Sequence, residues 1–163
     1  MAHHPFMDTD VNGREELSRA EAIALLGTRE LGRLVYTREA LPAVMPVAYA
    51  VRDGAIWIWT GSAASLARAL RGAVVAFQVD DLAYPTRSGW SVTVTGLAQA
   101  VTDEALLARA LTEGPAPWSP GAEEHLVQVP LTMVTGRWLG AGRRGVPNQD
   151  GLPSHGGLTQ TQA

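Results

Sequence analysis

From Trp90 the chain alternates for six residues, with Trp90, Val92 and Val94 on one side and Ser91, Thr93 and Thr95 on the other. Period two in aromatic and β-branched residues predicts a strand with one buried face, because successive side chains of a pleated strand point opposite ways. Such a strand needs partners for its backbone groups and a cover for its apolar side. Short apolar runs bounded by Gly, Pro and Asp supply the partners: residues 32–38 (GRLVYTR), 42–51 (PAVMPVAYAV), 55–60 (AIWIWT), 73–79 (AVVAFQV) and 126–138. Asp53-Gly54 between two of them predicts a tight hairpin, since both positions tolerate positive φ. Pro46 cannot donate to a ladder and marks an edge or a bulge. Gly96 predicts a bulge in the alternating strand, with pairing continuing to Val101.

Three short helices accompany these strands. Ser18-Arg19-Ala20-Glu21 reads as a capping box opening the first, which Gly27 can end. Its small apolar side (Ile23, Leu25, Leu26, with Leu17 before it) suits a lid more than a core. Residues 66–70 have helical composition and stop at Gly72, and Thr102-Asp103 caps a third helix over about 104–112. Residues 82–89 read as a connecting loop and 113–123 as a Pro-rich one. Residues 1–16 read as a polar leader, 17–138 as one domain, and the Gly/Pro/Gln-rich stretch 139–163 as a tail. The order predicts a mainly β fold: a small six-stranded barrel with short peripheral helices, in preference to a sandwich.

Composition narrows the chemistry. The 163 residues contain no cysteine, and all thirteen basic residues are arginine. That excludes thiol nucleophiles, disulfides, thiolate metal sites and lysine Schiff bases. Histidine occurs only at 3, 4, 125 and 155, so no histidine metal site is expected. A net charge of −3 with scattered arginines offers no basic face for nucleic acid. No apolar run approaches the roughly 18 residues of a membrane span. The chain reads as a soluble cytoplasmic protein, and its 18% charged residues, below the usual figure of about 25%, suggest a surface partly hidden against a second copy.

Three segments can carry a ligand. Thr60-Gly61-Ser62-Ala63-Ala64-Ser65 runs from a strand end into the helical stretch, with Arg68 one turn on; small residues, hydroxyls and a guanidinium suit a phosphate, and equally an ordinary capped helix. Arg87-Ser88-Gly89-Trp90-Ser91 offers a cation, hydroxyls and an aromatic wall, or simply a core tryptophan. Val44-Met45-Pro46-Val47 leaves backbone groups free to bond the edge of a flat heterocycle, or is only an edge strand. Trp57 and Trp59 share one strand face and suit a core or a dimer interface. No catalytic acid–base pair is evident, so chemistry would come from a bound cofactor.

In this order, GRLVYTREALPAVMPVAYAV, IWIWTGSAASLARAL, VVAFQVDD and above all TRSGWSVTVTGLAQAVTD resemble the pyridoxamine 5′-phosphate oxidase-like superfamily of flavin-binding split barrels, over residues 17–138. The resemblance implies a homodimer with FMN in two symmetric clefts between subunits. It implies that the flavin ring lies along Val44, Met45, Pro46 and Val47, and its phosphate near Thr60, Ser62, Ser65 and Leu66. Trp90 and Ser91 match cofactor-contacting positions. Arg87 is near enough to clamp the phosphate, and Arg137 with Trp138 falls where some relatives reach the partner's flavin. Relatives usually carry lysine at the position of Ser65. Serine keeps a hydrogen bond but loses the charge, a change of about 1–3 kcal/mol that Arg68 or Arg87 would offset. The implied activity is an FMN-dependent oxidoreductase acting on a small molecule, with NAD(P)H as a possible donor. The alternatives are the deazaflavin F420 as cofactor, or a non-catalytic flavin, F420 or haem binder. The segment that confers vitamin B6 specificity is not recognisable.

Overall fold

Asp53 and Gly54 turn as that dipeptide predicts, at φ 50° and 72°, and join two paired strands. In the computed structural model, which describes residues 9–10, 14–61, 66, 68, 70–117 and 125–140, these strands belong to a closed antiparallel barrel. The elements are β1 (Thr9–Asp10), β2 (Arg14–Glu16), α1 (Arg19–Leu26), β3 (Leu31–Arg38), β4 (Leu41–Ala48), β5 (Ala50–Arg52), β6 (Ala55–Trp59), β7 (Val74–Ala83), β8 (Ser88–Leu97), β9 (Gln99–Ala100), α2 (Glu104–Glu113), β10 (Leu126–Pro130) and β11 (Met133–Leu139). One sheet runs β1-β2-β11-β8-β7-β3-β4 and the other β5-β6-β10-β9.

Three chain segments pass from one sheet to the other: β4 into β5 through Tyr49, β8 into β9 through Ala98, and β10 into β11 through Leu131 and Thr132. Counted through these crossings, six strands close the circuit, so the fold is a split barrel with short helices outside. Proline is tolerated at Pro46 because β4 ends its sheet and bonds there only to β3. Gly96 is not a bulge: it pairs in plain register with Val75. A Cβ there would come 2.8 Å from the Pro130 carbonyl oxygen, so the glycine serves the close approach of backbones at the crossing.

The barrel interior is filled by Leu34, Tyr49, Ile56, Ile58, Phe77, Val92, Val94 and Val129, all nearly or fully buried. The capping box is present, with the Ser18 amide donating to Glu21 Oε2 at 2.9 Å and the Glu21 amide donating to Ser18 Oγ at 3.3 Å. The helix it opens is core, not lid. Leu17, Ala22 and Leu26 are buried against β11, where Gly136 leaves room for Leu17 and Ala22. α2, capped by Asp103 accepting from the Leu106 amide at 2.7 Å, covers the other face of β6. There Trp57, Ala55, Ala110 and Leu126 form a second cluster, with Trp59 packed partly against it. Arg109 holds the arrangement, its guanidinium 5.7 Å from the Trp57 ring centroid and bonded to Asp53 and Glu113.

Two further expectations change. The polar leader contributes β1 and β2; β2 pairs with β11, Glu16 opposite Arg137, because backbone pairing at a sheet edge needs no apolar pattern. The loop expected at 82–89 shrinks to residues 84–87. β7 runs on through Asp80 and Asp81, whose charges are met by Arg33 (2.8 Å) and Arg29. Ser62, Ser65, Trp118, most of the Pro-rich loop after Pro117 and the tail beyond Gly140 lie outside the described residues. Among the described residues no helix is long and apolar enough to cross a membrane.

Candidate functional site

β4 has a partner on one side only, so its far edge carries unpaired main-chain groups. Beside that edge lies a cavity of about 180 Å³, bounded by Met45, Pro46, Val47 and Ala48 on β4, by Trp59, Thr60 and Gly61 at the end of β6, and by Pro115, Ala116 and Pro117 after α2. The three walls come from three local rules. Pro46 is admitted by the edge; Gly61, at φ 65°, turns the chain off β6; and the prolines end any continuation of α2. Thr60 is held firmly, its amide donating to the His125 carbonyl at 2.9 Å and its hydroxyl donating to the same oxygen at 3.3 Å.

A second chamber of about 260 Å³ continues from the first through Ala48, Pro115 and Ala116, and reaches Arg29, Arg52 and Tyr49. Tyr49 stands where β4 crosses into β5, 2% exposed, and its hydroxyl donates to the Leu26 carbonyl at 2.5 Å. Burial pushes the phenol well above its ordinary value near 10, with the Arg29 charge pulling more weakly the other way. The folded state therefore keeps a proton that the unfolded chain loses, and this contribution is full below pH about 10 and is lost as pH rises beyond it. In pH-dependent urea melts, stability should fall above pH about 10, and Tyr49→Phe should remove that slope while costing about 1 kcal/mol at neutral pH. An unchanged alkaline slope in the variant would assign the titration elsewhere.

The structure brings Met45, Pro46, Val47 and Thr60 to one cavity. Gly61, from the same expected segment as Thr60, lines it too, and the structure adds residues that the sequence did not single out for a ligand: Trp59, Pro115, Ala116 and Pro117. The only signal for the last three was the rigidity of a Pro-rich loop, which carries no address. Other expected residues stand elsewhere. Leu66 and Trp90 are buried in the barrel core, at 6% and 5% exposure. Val44, Ser91 and Arg137 lie on the outer face of the larger sheet, Arg137 directly opposite Ser91, whose hydroxyl accepts from Gln78 Nε2 at 3.3 Å. Arg87 occupies the β7–β8 turn at φ 48°, its guanidinium 5.9 Å from the centroid of the Tyr84 ring. The row of Pro46 crosses the sheet through Arg33 and Gln78 to Thr93. Arg87 is six residues along the strand from that row, about 20 Å, so this chain does not bring it to its own β4 cavity. Arg68 lines a different cavity, with Arg71. Among the described residues no group of His, Asp or Glu is arranged to hold a metal.

A six-stranded antiparallel split barrel with a cavity on a proline-bearing edge strand defines a class, and this chain belongs to the pyridoxamine 5′-phosphate oxidase family, whose model matches residues 18–138. It is 42% identical over 126 residues to the uncharacterized protein Rv0080 of Mycobacterium tuberculosis, an alignment spanning 74% of this chain and 82% of that one. Among solved structures it resembles an FAD binding protein from Mycobacterium smegmatis (33% identity, 76% of this chain and 97% of the other, TM-score 0.65). It also resembles a pyridoxamine 5′-phosphate oxidase candidate from Corynebacterium glutamicum (29% identity, 80% and 96%, TM-score 0.69).

Proposed function

We propose that this protein binds a flavin with its ring along the free edge of β4 and works as a flavin-dependent oxidoreductase on a small molecule. The observation that carries the reading is the cavity uniting Met45, Pro46 and Val47 with Thr60 and Gly61. A planar heterocycle with donors and acceptors on its rim fits an edge strand with unpaired backbone groups, and Trp59 with Pro115–Pro117 supplies apolar walls that keep water from its faces. FMN is the form proposed, with F420 as the alternative; the bound flavin would supply the redox chemistry, for which this chain offers no evident acid–base pair. The protein's own part is to bind and orient the ring, tune it by backbone hydrogen bonds and exclude water. NAD(P)H is the donor proposed.

A second copy completes the cleft in this reading. The far edge of β4 has no partner strand among the described residues, so a second subunit can supply the facing wall. The outer face of the larger sheet offers a self-association surface. Val44, Val35, Ala76, Thr95 and Met133 form one transverse row across five strands, with Val44 62% and Met133 60% exposed. Beside it Val74 pairs with Leu97, both exposed. Antiparallel sheets normally turn polar residues to solvent, and an apolar band of this kind supports the reading of a self-association face. The displaced residues Ser91 and Arg137 share that outer face.

The test is titration of the purified protein with FMN, FAD and F420, followed by anaerobic addition of NAD(P)H. Flavin fluorescence should quench saturably on binding, and Ala116→Trp, which fills the cavity, should weaken FMN binding by roughly a hundredfold, as loss of a whole contact wall would. A protein that binds none of the three cofactors would overturn the reading. Binding without bleaching by either nicotinamide would leave a flavin carrier in place of an NAD(P)H-driven enzyme.

A further inference from the structure

A cavity larger than the two beside the β4 edge lies on the far side of Thr60 from that edge. It has a volume of about 380 Å³ and takes its polar groups from Arg68, Arg71, Thr102 and His125. Its position is fixed by the same short connection that fixes Thr60, since the His125 carbonyl accepts both Thr60 hydrogen bonds while the next residue, Leu126, pairs with Trp59. Arg71 follows Arg68 by one turn, the Arg71 amide donating to the Arg68 carbonyl at 3.3 Å, and Gly72 at φ 67° ends the turn and bonds to Ala98. That spacing sets two guanidinium groups on one side of the turn.

Among the described residues lining this cavity, the charge is of one sign. Arg68 and Arg71 meet no carboxylate within 4 Å among the described residues, and no Asp or Glu is among those lining the cavity. Asp103, beside Thr102 in sequence, is committed to the Leu106 amide, and Glu123 and Glu124, before His125, lie outside the described residues. Two like charges one turn apart repel, so folding gains nothing from the pairing. Two guanidinium forks with a hydroxyl and an imidazole beside them match the oxygens of a phosphate.

We infer that this cavity is an anion subsite for a phosphate or pyrophosphate group, held by Arg68 and Arg71 with Thr102 and His125 as further donors. It stands apart from the β4 cavity and does not depend on a flavin being bound there. The group can arrive in two ways, as the adenylate end of a dinucleotide cofactor whose other end occupies the β4 edge, or on a separate phosphorylated small molecule.

Isothermal titration of the full chain with ADP and with inorganic pyrophosphate tests it. Both should bind saturably; Arg71→Ala should weaken ADP binding by about tenfold and Arg68→Ala/Arg71→Ala should abolish it. Arg71→Lys should fall between, since it keeps the charge and loses the fork. Unchanged thermal melting of the variants separates lost binding from lost fold. If FAD binds more tightly than FMN and Arg71→Ala removes the difference, the anion belongs to the dinucleotide. If FAD and FMN bind equally while ADP still binds, it belongs to a separate compound. Absence of saturable binding by both ADP and pyrophosphate, or wild-type affinity in the double variant, would overturn the subsite. ADP binding in a protein that takes up no flavin would strike the flavin reading and leave the subsite standing.

Discussion

Replacing Phe77 by alanine should destabilise the barrel by about 3–5 kcal/mol. Phe77 is fully buried, lies opposite Leu34 and Val94 on the neighbouring strands, and meets the edge of Tyr49 at a centroid distance of 4.8 Å. It also fills the place where Gly32 has no side chain: a Cβ there would sit 2.3 Å from the tip of the ring. The melting temperature should fall by roughly 10 °C for a domain of this size. The same geometry predicts coupling. Gly32→Ala should cost about 1–3 kcal/mol in the wild-type background and much less alongside Phe77→Ala, because the missing ring leaves space for the methyl. Additive losses in the double variant would show that Gly32 is required for another reason.

The second large effect concerns the outer face. Ala76→Arg places a charge in the middle of the row from Val44 to Met133, and in a symmetric pair its counterpart arrives with it. Like charges brought together at an interface cost several kcal/mol, so the dimer proposed here should weaken by about a hundredfold or more and elute as a monomer in light-scattering chromatography. FMN affinity should fall with it if the partner supplies a wall of the cleft. Leu111→Arg is the control: Leu111 is 65% exposed on α2, away from this sheet, and its substitution should leave association unchanged. A wild-type chain that is monomeric at all concentrations would remove the two-subunit cleft, and a dimeric Ala76→Arg variant would move the interface to another face.

The barrel was largely legible because its signals are local. Alternation at Trp90–Thr95, the Asp53-Gly54 turn, the Ser18 capping box and the proline in β4 each reflect the geometry of a few neighbouring residues. What failed was set by tertiary pairing. β2 has no apolar pattern and forms because β11 offers it an edge, and Asp80 and Asp81 read as a strand end until Arg33 and Arg29 neutralise them. Gly96 looked like a bulge because one-dimensional reading cannot see Pro130 behind it. The site followed the same division. Met45, Pro46, Val47 and Thr60 were reachable through edge-strand chemistry and the family resemblance. Pro115, Ala116 and Pro117 come to the cavity only through where α2 ends, and Arg68 leaves it for Arg71 because of how the turn before Gly72 is wound.

Tyr49, Ala98 and the Leu131–Thr132 corner, where strands pass between the sheets, bear on how the molecule comes apart. Separating the two sheets would mean breaking three continuous strands, so neither sheet can open as an independent unit. Such a barrel lacks a natural seam, and its amides should exchange with solvent together in one slow event once fraying at β1 and β2 is set aside. Whatever grips β4 at its free edge thereby tightens the whole circuit, and a pull on one lip of the cleft is felt on the opposite wall.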